Sequence, residues 1–439
     1  MRFLMKARVQ LLTLLALPCA GLGQATPIAS VDPSSSGLNL PAINGTFQYG
    51  LSAAEVVQKG YSSSGGVYAQ TSISGDLAYA SKSEVHPFSL LYTGGTQFGN
   101  QAGYSNSYYQ SLAISQAYVT RSWVFGVSDI LSYLPQSPTV GLSGIPGTGD
   151  VGLNPVQNGL VPSQDVITIE NTRLSNSVNG NVERRLDAFT SISGGANYGI
   201  LDFLGNGGVN STQIGAEVAI NRRLDARSSA SLAATYGIFS YSDLGDGTSF
   251  QSRGLSASFQ RQLSRSLTAN VSGGPEWING SGSLGIPSRL TFTAGAGLGY
   301  TVRVYAVNAG YSRGVNGGAG VQPGGISDAI SGAVQRPFGT AWSASANVGY
   351  ARTQGLSSGP AVANLALLGL TANGNYHSLY AGGQISRRIN KSFSGYVSYT
   401  ALDQSYSQSQ IAPSALNGIV QSFAIGISYF PRSLHLGQL

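Results

Sequence analysis

The chain has 439 residues, of which only 10% are charged, with 60 glycines, 23 tyrosines and a formal net charge of +6. Soluble proteins of this size carry about 25% charged residues, and no apolar run after residue 25 approaches the roughly 20 residues that a membrane helix requires. A helical membrane protein is excluded, and an ordinary soluble one fits poorly.

Arg2, Lys6 and Arg8 precede an apolar run from Val9 to Leu17, and Gly23-Gln24-Ala25 offers a small-residue cleavage site. Residues 1–25 therefore read as a secretory signal peptide, too short to span a membrane. The single cysteine, Cys19, lies inside it, so the exported chain is expected to have no disulfide. Without that segment, 21 basic residues face 18 acidic ones, and much of the basicity disappears. Residues 26–45 show no periodicity and read as a flexible periplasmic segment.

From Thr46 onward the hydrophobic period is two. Between Thr212 and Arg222, Ile214, Ala216, Val218 and Ile220 share one face, and Gln213, Gly215, Glu217 and Asn221 the other. Ser266–Trp277 and Arg289–Tyr300 alternate in the same way. Segments of this length suit tilted strands crossing hydrocarbon, with apolar residues to lipid and polar ones to a lumen. The segments are punctuated by a recurring mark: Arg184-Arg185-Leu186-Asp187, Arg222-Arg223-Leu224-Asp225, Arg261-Gln262-Leu263-Ser264 and Arg387-Arg388-Ile389-Asn390. The leucines at 186, 224 and 263 are 38 and 39 residues apart, the span of two strands, a tight turn and a longer loop. Continuing the count predicts 18 strands between residues 46 and 430, the first at 46–57 and one hairpin at 304–313 and 327–336. Both chain ends are then periplasmic. Sixteen strands result if the first hairpin is not embedded. The fold expected is an all-β, transmembrane, antiparallel up-and-down barrel at 46–430, with a tail at 431–439.

Two connections stand out: the Pro/Gly-rich residues 135–171 and the stretch 353–375, with its apolar Ala361–Leu370. Long loops in compact folds tend to be functional, and either could narrow the pore.

With its signal peptide, arginine-bearing turns and segments such as Tyr108–Val119 followed by Ser122–Leu134, the chain resembles Gram-negative outer-membrane β-barrels of the porin-like kind. It is similar to large barrels of soil bacteria such as Acidobacteria. The resemblance implies an outer-membrane location and a third outer loop, 135–171, at the position where porins fold a constriction inward. It also implies that the last strand, Ile419–Phe430 with its closing Tyr429-Phe430 pair, is read by the barrel-assembly machinery. Outer-membrane lipids and a homo-oligomer are the other expected partners; nucleic acid is not.

No metal-ligand spacing, cofactor motif or nucleophile motif is present, and no enzyme is expected. Of His86, His377 and His435, only His377 falls near an outer strand end, and its simplest reading is an interfacial polar residue. Lumen-parity charges are the better functional candidates. They are Asp76 and Glu217 at mid-strand, and Arg173, Arg289 and Glu276 towards the outer rim, where a charge facing water tunes ion selectivity. Basic residues at the turns, and Trp123, Trp277, Tyr300, Tyr305 and Trp342 near strand ends, read as anchors at headgroup level. Gln116 and Asp129 fall on lipid-facing parity. A bulge that turns one of them inward is the expectation, with a protomer interface as the alternative.

The function expected is passive diffusion of small, neutral, polar solutes. The alternative is a plugged barrel with a structural, adhesive or export-associated role.

Overall fold

The computed structural model describes residues 46–59, 66–81, 83, 85–99, 107–134, 172–204, 210–242, 248–281, 285–302, 304–317, 324–356, 375–406, 418–431 and 434–435. They form β1 (Thr46–Lys59), β2 (Val67–Ala80), β3 (Phe88–Gly99), β4 (Ser107–Val119), β5 (Trp123–Leu134), β6 (Arg173–Arg185), β7 (Thr190–Phe203), β8 (Ser211–Arg223) and β9 (Ser228–Tyr241). The second half is β10 (Ser249–Gln262), β11 (Leu267–Ser281), β12 (Arg289–Val302), β13 (Tyr305–Asn316), β14 (Gly325–Phe338), β15 (Trp342–Gly355), β16 (Asn375–Arg388), β17 (Phe393–Tyr406) and β18 (Gly418–Tyr429). Each strand pairs antiparallel with its chain neighbour, and β1 pairs β18 from Leu51↔Tyr429 to Lys59↔Gln421, so the sheet closes on itself with 18 strands. Closure removes both edge strands, whose unpaired amides would otherwise need covering. Leu434–His435 (β19) adds a short bridge to Thr46 and Phe47, so part of the expected tail is tied to the barrel. Residues 1–45 and 135–171 lie outside the described residues.

Short connections gather at one end, here the turn rim, and longer ones at the other, the loop rim. The recurring sequence mark is a recurring turn. The Leu186 N–H donates to the Thr190 carbonyl at 2.9 Å, while Asp187 Oδ1 accepts from the N–H groups of Phe189 and Thr190 at 2.6 and 2.8 Å. The same bonds recur with Leu224 and Asp225, with Leu263 and Ser264, and with Ile389 and Asn390. A short side-chain acceptor in this position satisfies amides that the ladder leaves over.

The two faces of the wall differ as the alternation demands. Outward, Val218, Leu232 and Leu290 are each at least 60% exposed, part of a belt of large apolar side chains around the barrel. A surface this apolar is not that of a water-soluble monomer. At the turn rim, the Arg184 and Arg387 guanidinium groups lie 5.2 Å from the rings of Trp123 and Trp342. Inward, short hydroxyls pair across strands: Ser89 with Ser115 and Ser231 with Ser258 at 2.6 Å, and Ser327 with Thr353 at 2.7 Å. Such pairs contribute about 0.2–1 kcal/mol each and fix register.

Two expectations are corrected here. No bulge turns Gln116 or Asp129 inward: the β4–β5 register is regular, pairing Gln116 with Val127 and Ile114 with Asp129, and both face outward. Apolar neighbours on both strands already fix the register, so the ladder tolerates the polar residues in place. The stretch expected as a loop at 353–375 begins later, because Thr353–Gly355 belong to β15 and pair with Gly325–Ser327.

Candidate functional site: the lumen and an inward-leaning hairpin

Register brings two of the five candidate residues onto one row. Glu217 pairs with Thr235, Thr235 with Gly254, Gly254 with Glu276, and Glu276 with Thr291. The row runs across the inner face of β8 to β12, with carboxylates on β8 and β11. Asp76, 4% exposed, sits on the inner face of β2 between Gly50 and Thr93. It is nine strands from Glu276, on the opposite wall. Arg289 opens β12 opposite Ile278; its Nε and Nη2 are buried without a hydrogen-bond partner among the described residues. Arg173 opens β6, paired with Leu134 and Phe203, and is separate from the row. Away from the rims, the inner face therefore presents Asp76 and Glu217 as acids.

The feature that sequence reasoning missed lies at the loop rim. The β12–β13 ladder ends at Ala294↔Arg313, whereas β11–β12 continues to Arg289 and β13–β14 continues to Asn316↔Gly325. The loop-rim ends of β13 and β14 thus leave the wall, and their contacts show where they go. Tyr241 Oη, from the inner face of β9, donates to the Gly317 carbonyl. The Phe239 ring lies against Gly317 and the Phe250 ring against Gly324. Val315, Ile326 and Leu356 join Phe239, Tyr241, Phe250, Ile278 and Ile286 in one buried apolar cluster. Asn316 and Ser327, on the other face of the hairpin, are buried as well and bonded to each other, and Ser327 also bonds Thr353 of β15. The loop-rim ends of β13 and β14, up to Gly317 and from Gly324, lie inside the barrel and pack on the inner wall of β9–β11.

Glu276 holds this arrangement from below. Only 4% exposed, it accepts hydrogen bonds from the Ser252 hydroxyl and from the Val315 N–H of the displaced hairpin. Glu276, expected towards the outer rim as a selectivity charge, thus bridges wall and hairpin. One signal could have revealed the cluster, since Phe239 and Tyr241 fall on a parity otherwise held by the small residues Ser, Ala, Thr and Gly. Val315 and Ile326 gave no such signal, having the parity of lipid-facing residues. Sequence alone does not show that their hairpin leaves the wall.

The histidines do not converge. His86 stacks on Tyr118 at 4.9 Å near the turn rim, and His377 faces outward, its Nδ1 bonded to Tyr350 Oη at 2.9 Å. Among the described residues no group of three or more His, Cys, Asp or Glu could hold a metal ion.

No protein-family model and no curated protein matches this sequence. Solved structures similar to it include three from Pseudomonas aeruginosa. The outer membrane protein opdK is 8% identical, with a TM-score of 0.44, over 89% of this chain and 99% of that one. OccK9 (OpdG) is 11% identical, with a TM-score of 0.44, over 89% and 98%. OprD is 9% identical, with a TM-score of 0.41, over 91% and 98%.

Proposed function

We propose that the chain is a porin-like channel of the bacterial outer membrane that lets small polar solutes diffuse passively. The observation that carries this reading is the two-faced closed wall, with large apolar side chains outside and serine, threonine and carboxylate groups inside. In a membrane of about 30 Å hydrocarbon thickness, only a closed barrel or helices satisfy the backbone. Among the described residues no helix is long and apolar enough to cross. The turn rim is the periplasmic side, and its arginines and aromatic rings anchor the barrel at headgroup level. The last strand pairs with the first, which suits a role for Ile419–Phe430 in assembly. The likeness to barrels of soil bacteria rests on the turns and on the segments around them.

Asp76 and Glu217 are the residues assigned to selectivity, with Arg289 as their counterweight. Two acids at mid-strand favour small cations over anions. The β13–β14 hairpin narrows the outer mouth, and if it closes the lumen entirely the barrel is a structural one. Conductance of the refolded chain in a planar lipid bilayer decides between them. Steady steps proportional to salt concentration support a channel; an inserted but electrically silent protein refutes it.

A further inference from the structure

The wall carries a seam between β12 and β13. From Arg289 to Thr293, β12 pairs only with β11, because β13 turns inward beyond Arg313. At about 3.3 Å per residue, the unpaired edge runs roughly 15 Å from the loop rim. Its outward side chains, Leu290 and Phe292, are exposed and apolar. An unpaired backbone edge at lipid depth is tolerated only where protein covers it or a polar cavity reaches it.

Basic side chains converge on this seam. Arg313 is on the outward face of β13, its guanidinium 4.7 Å from the Phe292 ring. Arg289 is on the inner face of β12. Because β13 turns inward beside it, the two guanidinium groups come close enough for their like charges to act on each other. Asp328 of β14 lies between Arg313 and Arg352 of β15, opposite each in register. All three sit three residues inside the loop-rim ends of their strands, and so at one depth.

This corner holds one acid, and it is already engaged. Both Asp328 oxygens accept from Arg313 Nη1, at 2.8 and 2.7 Å, and Oδ1 also accepts from Tyr311 Oη at 2.9 Å. The next outward acid, Asp403, lies two strands beyond Arg352, opposite Leu379. Arg352 is exposed. Arg289 has no acidic partner among the described residues, and its Nε and Nη2, like the Nε of Arg313, are buried without a hydrogen bond there. A buried charged donor left over in this way is costly, and a water or an ion is the usual remedy. Three guanidinium groups against one carboxylate leave an excess of two positive charges. A phosphate monoester carries about −1.5 to −2 at neutral pH and three acceptor oxygens, and guanidinium groups take it bidentately. A carboxylate brings a single charge and leaves half of the excess.

We infer that this corner of the wall binds a phosphate group between Arg289, Arg313 and Arg352, carried by a lipid headgroup of the outer leaflet or free in the medium. Deeper on the same outward surface, Leu298, Ile330 and Val348 are exposed, where the acyl chains of such a lipid would lie.

The lipid source rests on the membrane reading above, and the two fail differently. A chain that does not insert into vesicles refutes that reading, whereas an inserted chain without bound phosphate refutes only the site. The full chain is refolded in detergent and compared with Arg289→Gln, Arg352→Gln and, away from the seam, Arg253→Gln, whose side chain lies over Tyr236. Circular dichroism checks the strand content of each. Native mass spectrometry counts the lipid retained from micelles doped equally with phosphatidic acid and phosphatidylcholine. The phosphorus NMR linewidth of inorganic phosphate reads the free ion. Wild type and Arg253→Gln should hold one phosphate group per chain. Arg289→Gln and Arg352→Gln should bind it more weakly by about tenfold, the scale of one charge-assisted hydrogen bond. Selective retention of phosphatidic acid assigns the lipid source, and broadening of inorganic phosphate alone assigns the free one. Binding of neither, or equal binding by all four proteins, would overturn the inference.

Discussion

Replacing Phe250 by alanine should release the inward-leaning hairpin while leaving the wall intact. The ring is fully buried, stacks on Phe239 at 4.6 Å and lies against Gly324 at the base of the displaced loop. Removing a buried phenylalanine costs about 3–5 kcal/mol. Roughly half of its surroundings belong to the wall and half to the hairpin, so ~2 kcal/mol falls on the docking equilibrium. At about 1.4 kcal/mol per decade this is a shift of about 30-fold towards the undocked state. The wall keeps its ladder of backbone bonds, so strand content by circular dichroism should not change. Single-channel recording reads the shift directly, as longer dwell in a higher-conductance state. Tyr241→Phe, which deletes only the hydroxyl bonded to the Gly317 carbonyl, should act in the same direction by about fivefold, as expected for one hydrogen bond near 1 kcal/mol. Unchanged conductance and dwell times in a folded Phe250→Ala protein would show that the cluster packs the wall without shaping the pore.

Three further outcomes follow from the geometry. Glu217→Gln should lower the cation preference measured as reversal potential in a salt gradient; an unshifted potential removes Glu217 from the selectivity path. The Asp187 carboxyl is held below its usual range chiefly by the Phe189 amide, and that of Asp225 by the Arg227 amide. Because the folded value is the lower one, their contribution is complete above the unfolded value of about 3.9 and is lost as pH falls through the depressed value. Amide exchange at Phe189 and Arg227 should therefore lose protection below about pH 4, and the Asp→Asn variants, which resemble the Asn390 turn, should be flat there. If the wild-type amides keep their protection, the carboxylates do not hold the turns. Gly274→Ala would drive a methyl into the Leu255 carbonyl oxygen, and should destabilise the barrel by about 1–3 kcal/mol in urea titrations. Gly180→Ala has open space and should be neutral; equal effects at the two sites would mean that crowding at Gly274 is relieved by movement of the strand.

How far the fold could be read from the sequence follows from what is local. Alternation at Ile214–Ile220 gives both the strand and its inner face, and Asp187, Asp225, Ser264 and Asn390 mark turns whose bonds span three or four residues. Strand number and closure come from counting such units. The hairpin at 304–313 and 327–336 was legible as a pair of strands, and the structure extends them to Asn316 and back to Gly325. What was not legible is where their tips go. That depends on Phe239 and Phe250, more than 60 residues earlier, offering an apolar surface inside a polar lumen. The bridging part of Glu276 was hidden for the same reason, since its partner, the Val315 amide, is set by the displacement. Asp129 failed differently: its parity was read correctly, but a local rule that polar residues turn inward does not hold when a regular ladder fixes the strand.

Every neighbouring pair among the 18 long strands is also consecutive along the chain, except β1 with β18. Each hairpin can therefore form from its own turn, and the entropy of bringing distant segments together is concentrated at the β1–β18 joint, whose paired residues are separated by most of the sequence. Loop closure over such a distance is slow relative to hairpin formation. Opening in denaturant should begin at that joint, and the bridge from Leu434–His435 to Thr46–Phe47 sits across it like a latch. The residues after the last long strand thus bear on the lifetime of the closed wall.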